Sequence, residues 1–219
     1  MKEVAALDLA AMMCSRLCHD MLSPIGALSN GLELLADETD PQMREKCVEL
    51  LHQSAKVSAD RLKFFRLAFG AAGGFGEMVP VEEPKSLIEA LASNNPRIRL
   101  NWALAEARLP KAAVKVLLNY AQIAIDALVR GGTLDIGAES RDGASEIVVR
   151  ATGEKVVFDE AIGLALEGEL SPGDITSRTA AAYMLSLLSE DQGGSLQFRA
   201  SRTALVLGAV MPTPEGMIG

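Results

Sequence analysis

From Leu7 onward, apolar residues recur at alternating spacings of four and three: Leu7, Ala11, Cys14, Cys18, Met21, Ile25, Leu28, Leu32 and Leu35. A 4-3 spacing sustained this long predicts a helix with a coiled-coil-like seam. Asp37 to Pro41 reads as a turn, with Asp40 as N-cap and Pro41 at the first position of a second helix. That helix is expected to run to about Ala68. It carries two apolar rows, one of Met43, Cys47, Leu50, Val57 and Phe64, the other of Val48, Leu51, Ala55, Leu62 and Phe65. Two such helices make an antiparallel hairpin, which by itself cannot cover so much apolar surface. Pairing two hairpins into a four-helix bundle would, so a homodimer through residues 1–70 is expected. Packing against the C-terminal half of the same chain is the competing way to cover that face.

Residues 70–76, Gly-Ala-Ala-Gly-Gly-Phe-Gly, read as a loop. Beyond them the period changes repeatedly. Ser86 to Ala92 looks helical, and Ile98, Leu100, Trp102 and Leu104 alternate as a strand. Pro110 opens a helix carrying Val114, Leu117, Leu118, Ala121, Ile125 and Leu128, closed by Gly131-Gly132. Thr133–Ser140 and Ser145–Thr152 form a hairpin around Asp142-Gly143. Phe158 to Leu166 and Ile175 to Ser189 read as helices, and Ser195–Ala200 with Thr203–Val210 as a last hairpin. The expected architecture is a helical hairpin domain over 1–72, a linker over 73–84, and an α+β sandwich over 85–219, with helices covering one face of a sheet.

Composition narrows the function classes. A net charge of −8 argues against a nucleic-acid-binding protein, which needs a basic face. No apolar run approaches the roughly 18–20 residues of a membrane span, and the N-terminus lacks a signal-peptide pattern. Three cysteines, an odd number, fit reduced thiols and a cytoplasmic location.

Chemistry enters on the side of the first helix opposite its seam. Those outer positions are Arg16, His19, Ser23, Gly26, Asn30, Glu33 and Asp37. His19 is therefore expected to face solvent, with Ser23 one turn on and Gly26 leaving the surface low. A neutral imidazole has a free ring nitrogen able to attack phosphorus, and its ordinary pKa of about 6.5 keeps much of it neutral in a cell. Asp20 can bond the other ring nitrogen and fix the tautomer. The alternative is an ordinary solvated histidine. A metal site on Cys14 and Cys18 is disfavoured, since both fall in the seam and His19 faces away from them. His52, between the apolar rows, reads as a partly buried structural residue.

The run His19-Asp20-Met21-Leu22-Ser23-Pro24-Ile25 resembles the H-box of sensor histidine kinases. The wider stretch, Ser15 to Asp20 with Gly26 to Leu35, resembles the ChpT-type histidine phosphotransferases of alphaproteobacteria, and that likeness extends over the chain. The resemblance implies a dimeric phosphorelay protein, its C-terminal domain resembling the histidine-kinase ATP-binding (Bergerat) fold without using ATP. It implies phosphoryl transfer from the receiver of a CckA-like hybrid kinase to His19, then to CtrA- and CpdR-like response regulators in cell-cycle control. Asp20 would be the catalytic neighbour of His19, and Ser23 stands at the position associated with phosphatase chemistry in kinases; from helical position alone, Arg16, Ser23, Gly26, Asn30 and Glu33 are expected to dock the receiver. A histidine-kinase-like phosphatase and a non-catalytic dimeric adaptor remain alternatives.

The nucleotide boxes of the kinases are eroded. Along Val116 to Asp126, the position of the Mg²⁺-binding asparagine holds Ile123, which cannot ligate a hard cation. Thr152-Gly153-Glu154-Lys155 lacks the expected aspartate, and Leu170 to Ile175 has one glycine and a proline where a glycine-rich box belongs. No cofactor of its own is expected, the Mg²⁺ being supplied by the partner receiver.

Overall fold

A computed structural model describes residues 6–70 and 77–213. Residues 71–76, most of the expected glycine-rich loop, lie outside that range. Helices α1 (Ala6–Asp37) and α2 (Pro41–Phe69) form the antiparallel hairpin. Its turn follows the sequence signal: Asp40 caps α2 by accepting from the Gln42 N–H at 2.9 Å, and Pro41 takes the first helical position. Helix α1 runs on through Pro24, which is buried.

The seam of α1 is only half used within the chain. Met21, Leu28 and Leu35 are half-buried, and beside them Pro24 and Gly31 are buried. A Cβ added to Gly31 would lie 2.9 Å from Leu51 Cδ2, so α1 and α2 approach closely there. The other row, Ala11, Cys18, Ile25 and Leu32, is exposed. So are Leu7 and Cys14, and from α2 Val48, Ala55 and Leu62. Cys14 and Cys18, expected to lie in the seam, are thus exposed in the single chain. A seam needs two neighbouring helices, and one hairpin supplies only one. His52 is exposed as well, not partly buried.

The second domain holds α3 (Glu82–Ala92), α4 (Lys111–Ala127), α5 (Glu160–Leu166) and α6 (Ala180–Asp191) with a five-stranded sheet. Strands β2 (Ile98–Leu104), β4 (Gly132–Arg141), β5 (Ala144–Thr152), β6 (Ser195–Ala200) and β7 (Ala204–Pro212) lie in the order β2-β4-β5-β7-β6. The β2–β4 pair is parallel and the rest are antiparallel. Alternation points Leu134, Ile136 and Ala138 to one face, with Ile147, Val149 and Ala151, and Leu205, Leu207 and Ala209. Register aligns Ile136, Val149 and Leu207 in one row under helix α4. Asp142 and Gly143 both have positive φ, 49° and 77°, as their tight hairpin turn demands.

Two short strands escape the periodicity. Strand β1 (Met78–Pro80) pairs with β3 (Arg108–Pro110), so the described part of the expected 73–84 linker is a strand and the first turn of α3. The core is continuous across both domains. Phe64, Leu67 and Ala68 of α2 are buried in it, and Leu9, Met12 and Met13 of α1 pack against it. The C-terminal domain thus covers the base of the hairpin and leaves the outer stripe open. Among the described residues, no helix is long and apolar enough to cross a membrane.

Candidate functional site

His19 stands on α1 with 86% of its side chain exposed. Nδ1 lies 3.2 Å from Asp20 Oδ1, the one hydrogen-bond partner of the ring among the described residues. If Nδ1 carries the proton and donates it to Asp20, Nε2 is left with a lone pair directed to solvent. Ser23, Asn30 and Glu33 are exposed along the same side, as their helical phase requires. A Cβ on Gly26 would meet nothing within 4 Å, so the surface is open there.

Arg16 departs from the expectation of an outward position. Only 19% of its side chain is exposed. The C-terminal domain lies against this turn of α1, and the guanidinium turns into it. Nη1 donates to the Arg178 carbonyl at 3.3 Å, and Nε lies 3.9 Å from Asp20 Oδ2. That carbonyl is held in place by the turn before α6, where Thr179 Oγ1 accepts from the Thr176 N–H at 2.9 Å.

Between α1 and the C-terminal domain lies a cleft of about 450 Å³, with His19 at its rim. Arg16, Asp20, Gln122, Asp126, Asp159 and Arg178 supply its charged and polar lining. Gln122 Nε2 donates to Asp126 Oδ1 at 2.8 Å. The two domains crowd the Asp126 carboxylate although its residue keeps solvent access. That desolvation raises its pKa above the ordinary value, against the pull of Arg16. Asp159 caps α5 through the Ala161 N–H at 3.1 Å and pairs with Arg178 Nε at 3.4 Å.

Of the three eroded nucleotide boxes, the stretch over 119–126 lines this cleft, and its side chains offer a magnesium nucleotide a poor fit. Ile123 presents an apolar side chain to it. Asn119 is buried and spends its amide on the Lys115 carbonyl at 2.8 Å. Gly153 is needed by packing: a Cβ there would come within 2.7 Å of the Gly131 carbonyl oxygen. The segment from Leu170 to Ile175 is pinned by burial of both its ends around a short 3-10 turn.

Reading along the sequence missed Asp126, Asp159 and Arg178 as site residues. Each is an unremarked charge in its own element. Only tertiary packing of α4, α5 and the turn before α6 against α1 brings them to His19.

The comparisons with known proteins agree with this geometry. Residues 81–204 match the model of the histidine phosphotransferase C-terminal domain family. The chain is 33% identical to the protein phosphotransferase ChpT of Brucella abortus (strain 2308), across 94% of this chain and 97% of that one. A solved structure described as a bacterial phosphotransferase superposes with a TM-score of 0.81 at 32% identity, covering 95% of this chain and 98% of the other. The histidine kinase domain of the blue-light-activated kinase EL346 from Erythrobacter litoralis shares the fold, with a TM-score of 0.51, 12% identity, and 87% and 94% coverage. A family match over more than half of the chain, with a relative a third identical over nearly all of it, shows that this chain belongs to the histidine phosphotransferases.

Proposed function

We propose that His19 is the phosphoryl carrier of a phosphorelay, loaded from a receiver-domain aspartate of a CckA-like hybrid kinase. It then gives the group to the receiver aspartates of CtrA- and CpdR-like response regulators that govern the cell cycle. The observation that carries this reading is an exposed histidine whose Nδ1 is held by Asp20 at 3.2 Å, in a chain of this family.

In the loading step Nε2 attacks the phosphorus of an aspartyl phosphate. The N–P bond forms as the P–O bond to the aspartate breaks, and the aspartate leaves as a carboxylate. The ring becomes cationic, and Asp20 stabilises that charge through the Nδ1 proton. Unloading is the same step reversed. The receiver supplies the Mg²⁺ and the cationic groups that neutralise the moving phosphoryl. The phosphotransferase supplies the nucleophile and a docking face along Ser23, Gly26, Asn30 and Glu33.

The protein works as a homodimer through residues 1–70. The exposed row of Ile25 and Leu32 with Val48 and Leu62 supports this, because a second hairpin covers it. A cytoplasmic location suits receiver partners.

Incubating the protein with a phosphorylated receiver domain tests the reading. The expected result is an acid-labile, base-stable phosphate on the chain, absent from His19→Ala. Transfer that survives His19→Ala sinks it. Direct labelling by ATP would point to a kinase, and phosphate released without a labelled chain to a phosphatase using Ser23.

A further inference from the structure

Resting on the reading of His19 as carrier, we infer that Arg16 is a positioning residue through which the C-terminal domain holds Asp20, and with it the His19 ring, in one orientation.

The ring has little else to orient it. With 86% of its side chain exposed and Asp20 as its hydrogen-bond partner, its direction is set by where that carboxylate stands. A carboxylate on a helix surface samples several χ1 wells unless its second oxygen is also engaged. Here it is. Asp20 Oδ1 serves His19 Nδ1 at 3.2 Å, while Oδ2 faces Arg16 Nε at 3.9 Å. Arg16 lies four residues before Asp20, on the same face of α1, so it reaches the carboxylate along the helix.

Arg16 is in turn held from outside the hairpin. Its Nη1 donates to the Arg178 carbonyl at 3.3 Å, and Asp126 of α4 exerts an electrostatic pull on it. Both anchors belong to the C-terminal domain. An ion pair near a surface contributes only about 0–1 kcal/mol to stability. The value of Arg16 therefore lies in direction more than in strength. The guanidinium donates Nη1 to a main-chain carbonyl and so keeps Nε at ion-pair distance, 3.9 Å, from Asp20, a placement a single lysine ammonium does not reproduce. The C-terminal domain thus has a task at the acceptor histidine, that of steadying its ring.

The test is the tautomer of His19, read from side-chain ¹⁵N shifts in the full-length protein. The chain has two histidines, so a His52→Gln variant assigns the signals. Wild type is expected to hold the proton on Nδ1. Asp20→Ala and Arg16→Ala should both move it towards Nε2, the tautomer free imidazole prefers in water. Arg16→Lys should fall between and shows that the effect is not loss of fold. Transfer from a phosphorylated receiver should slow about tenfold in Arg16→Ala with receiver affinity unchanged, the scale expected for a lost orienting contact. A wild-type tautomer in Arg16→Ala overturns the proposal, whether or not Asp20→Ala shifts it. Weakened receiver affinity with an unshifted tautomer would instead make Arg16 a docking residue. The tautomer readout needs no phosphate, so it stands apart from the His19→Ala transfer test.

Discussion

Gly31 of α1 lies against Leu51 of α2 so closely that a Cβ on the glycine would stand 2.9 Å from Leu51 Cδ2. An alanine can be met by a shift of that flexible side-chain end. A larger residue cannot, because α2 behind Leu51 does not yield. Gly31→Leu is expected to cost about 1–3 kcal/mol, as overpacking does. Thermal melting should show a fall of about 2–4 °C per kcal/mol for a chain of this size. A melting point at or above wild type would mean that the hairpin is looser than this contact requires.

Gly26, five residues earlier on the same helix, is a contrasting case. A Cβ there meets nothing within 4 Å. Gly26→Ala should therefore stabilise the chain by about 0.5–1 kcal/mol through backbone entropy alone. The docking proposal predicts that a bulky residue is folded but obstructive. Gly26→Phe should melt normally and slow transfer from a phosphorylated receiver by about tenfold, through weakened binding. Unchanged transfer would remove Gly26 from the docking face.

These two glycines show what could be read from the sequence and what could not. Helical phase alone placed Gly26, His19, Ser23, Asn30 and Glu33 on the outer side, and the fold puts them there. Strong local signals held equally well: the Asp40 cap, the Asp142-Gly143 turn and strand β6 at Ser195–Ala200. Strands β1 and β3 carried no such signal, being three residues each with a proline at the end. Helix α6 begins at Ala180, not Ile175, because Pro172–Asp174 forms a 3-10 turn and Thr176 bonds Thr179 first. Arg16 has the phase of an outer residue and is nonetheless covered. Its neighbours Asp126 and Arg178 are more than a hundred residues away along the chain, beyond the reach of any periodicity.

The exposed row of α1 tests dimerisation directly. Ile25 and Leu32 are 48% and 59% exposed in the single chain, which is a poor resting place for branched aliphatic side chains unless a second hairpin covers them. Ile25→Glu with Leu32→Glu places two carboxylates in that seam and, with their counterparts from the second copy, four. Light scattering should then report the 23.2 kDa mass of one chain, against an expected twice that for wild type. Helicity should largely persist, because the base of the hairpin is anchored in the C-terminal core through Phe64, Leu67 and Ala68. A dimeric double variant would send the search for the interface elsewhere.

Asp126 makes stability depend on pH in a stated direction. Desolvation raises its folded-state pKa above the ordinary 3.8, outweighing the attraction of Arg16 and Arg61 and the hydrogen bond from Gln122, while Asp20 adds repulsion. The folded chain therefore keeps this proton to a higher pH than the unfolded chain does. Below the ordinary pKa both states are protonated and the group has no net effect. As pH rises through the interval between the two values, the unfolded state ionises first and stability falls. Above the folded value the loss is constant. Asp126→Asn removes the charge while its amide oxygen still accepts from Gln122. The variant should match wild type in urea unfolding near pH 3 and exceed it near pH 7, with the difference growing between. A variant less stable than wild type at pH 7 would show that the pull of Arg16 and Arg61 outweighs the cost of crowding the carboxylate between the domains.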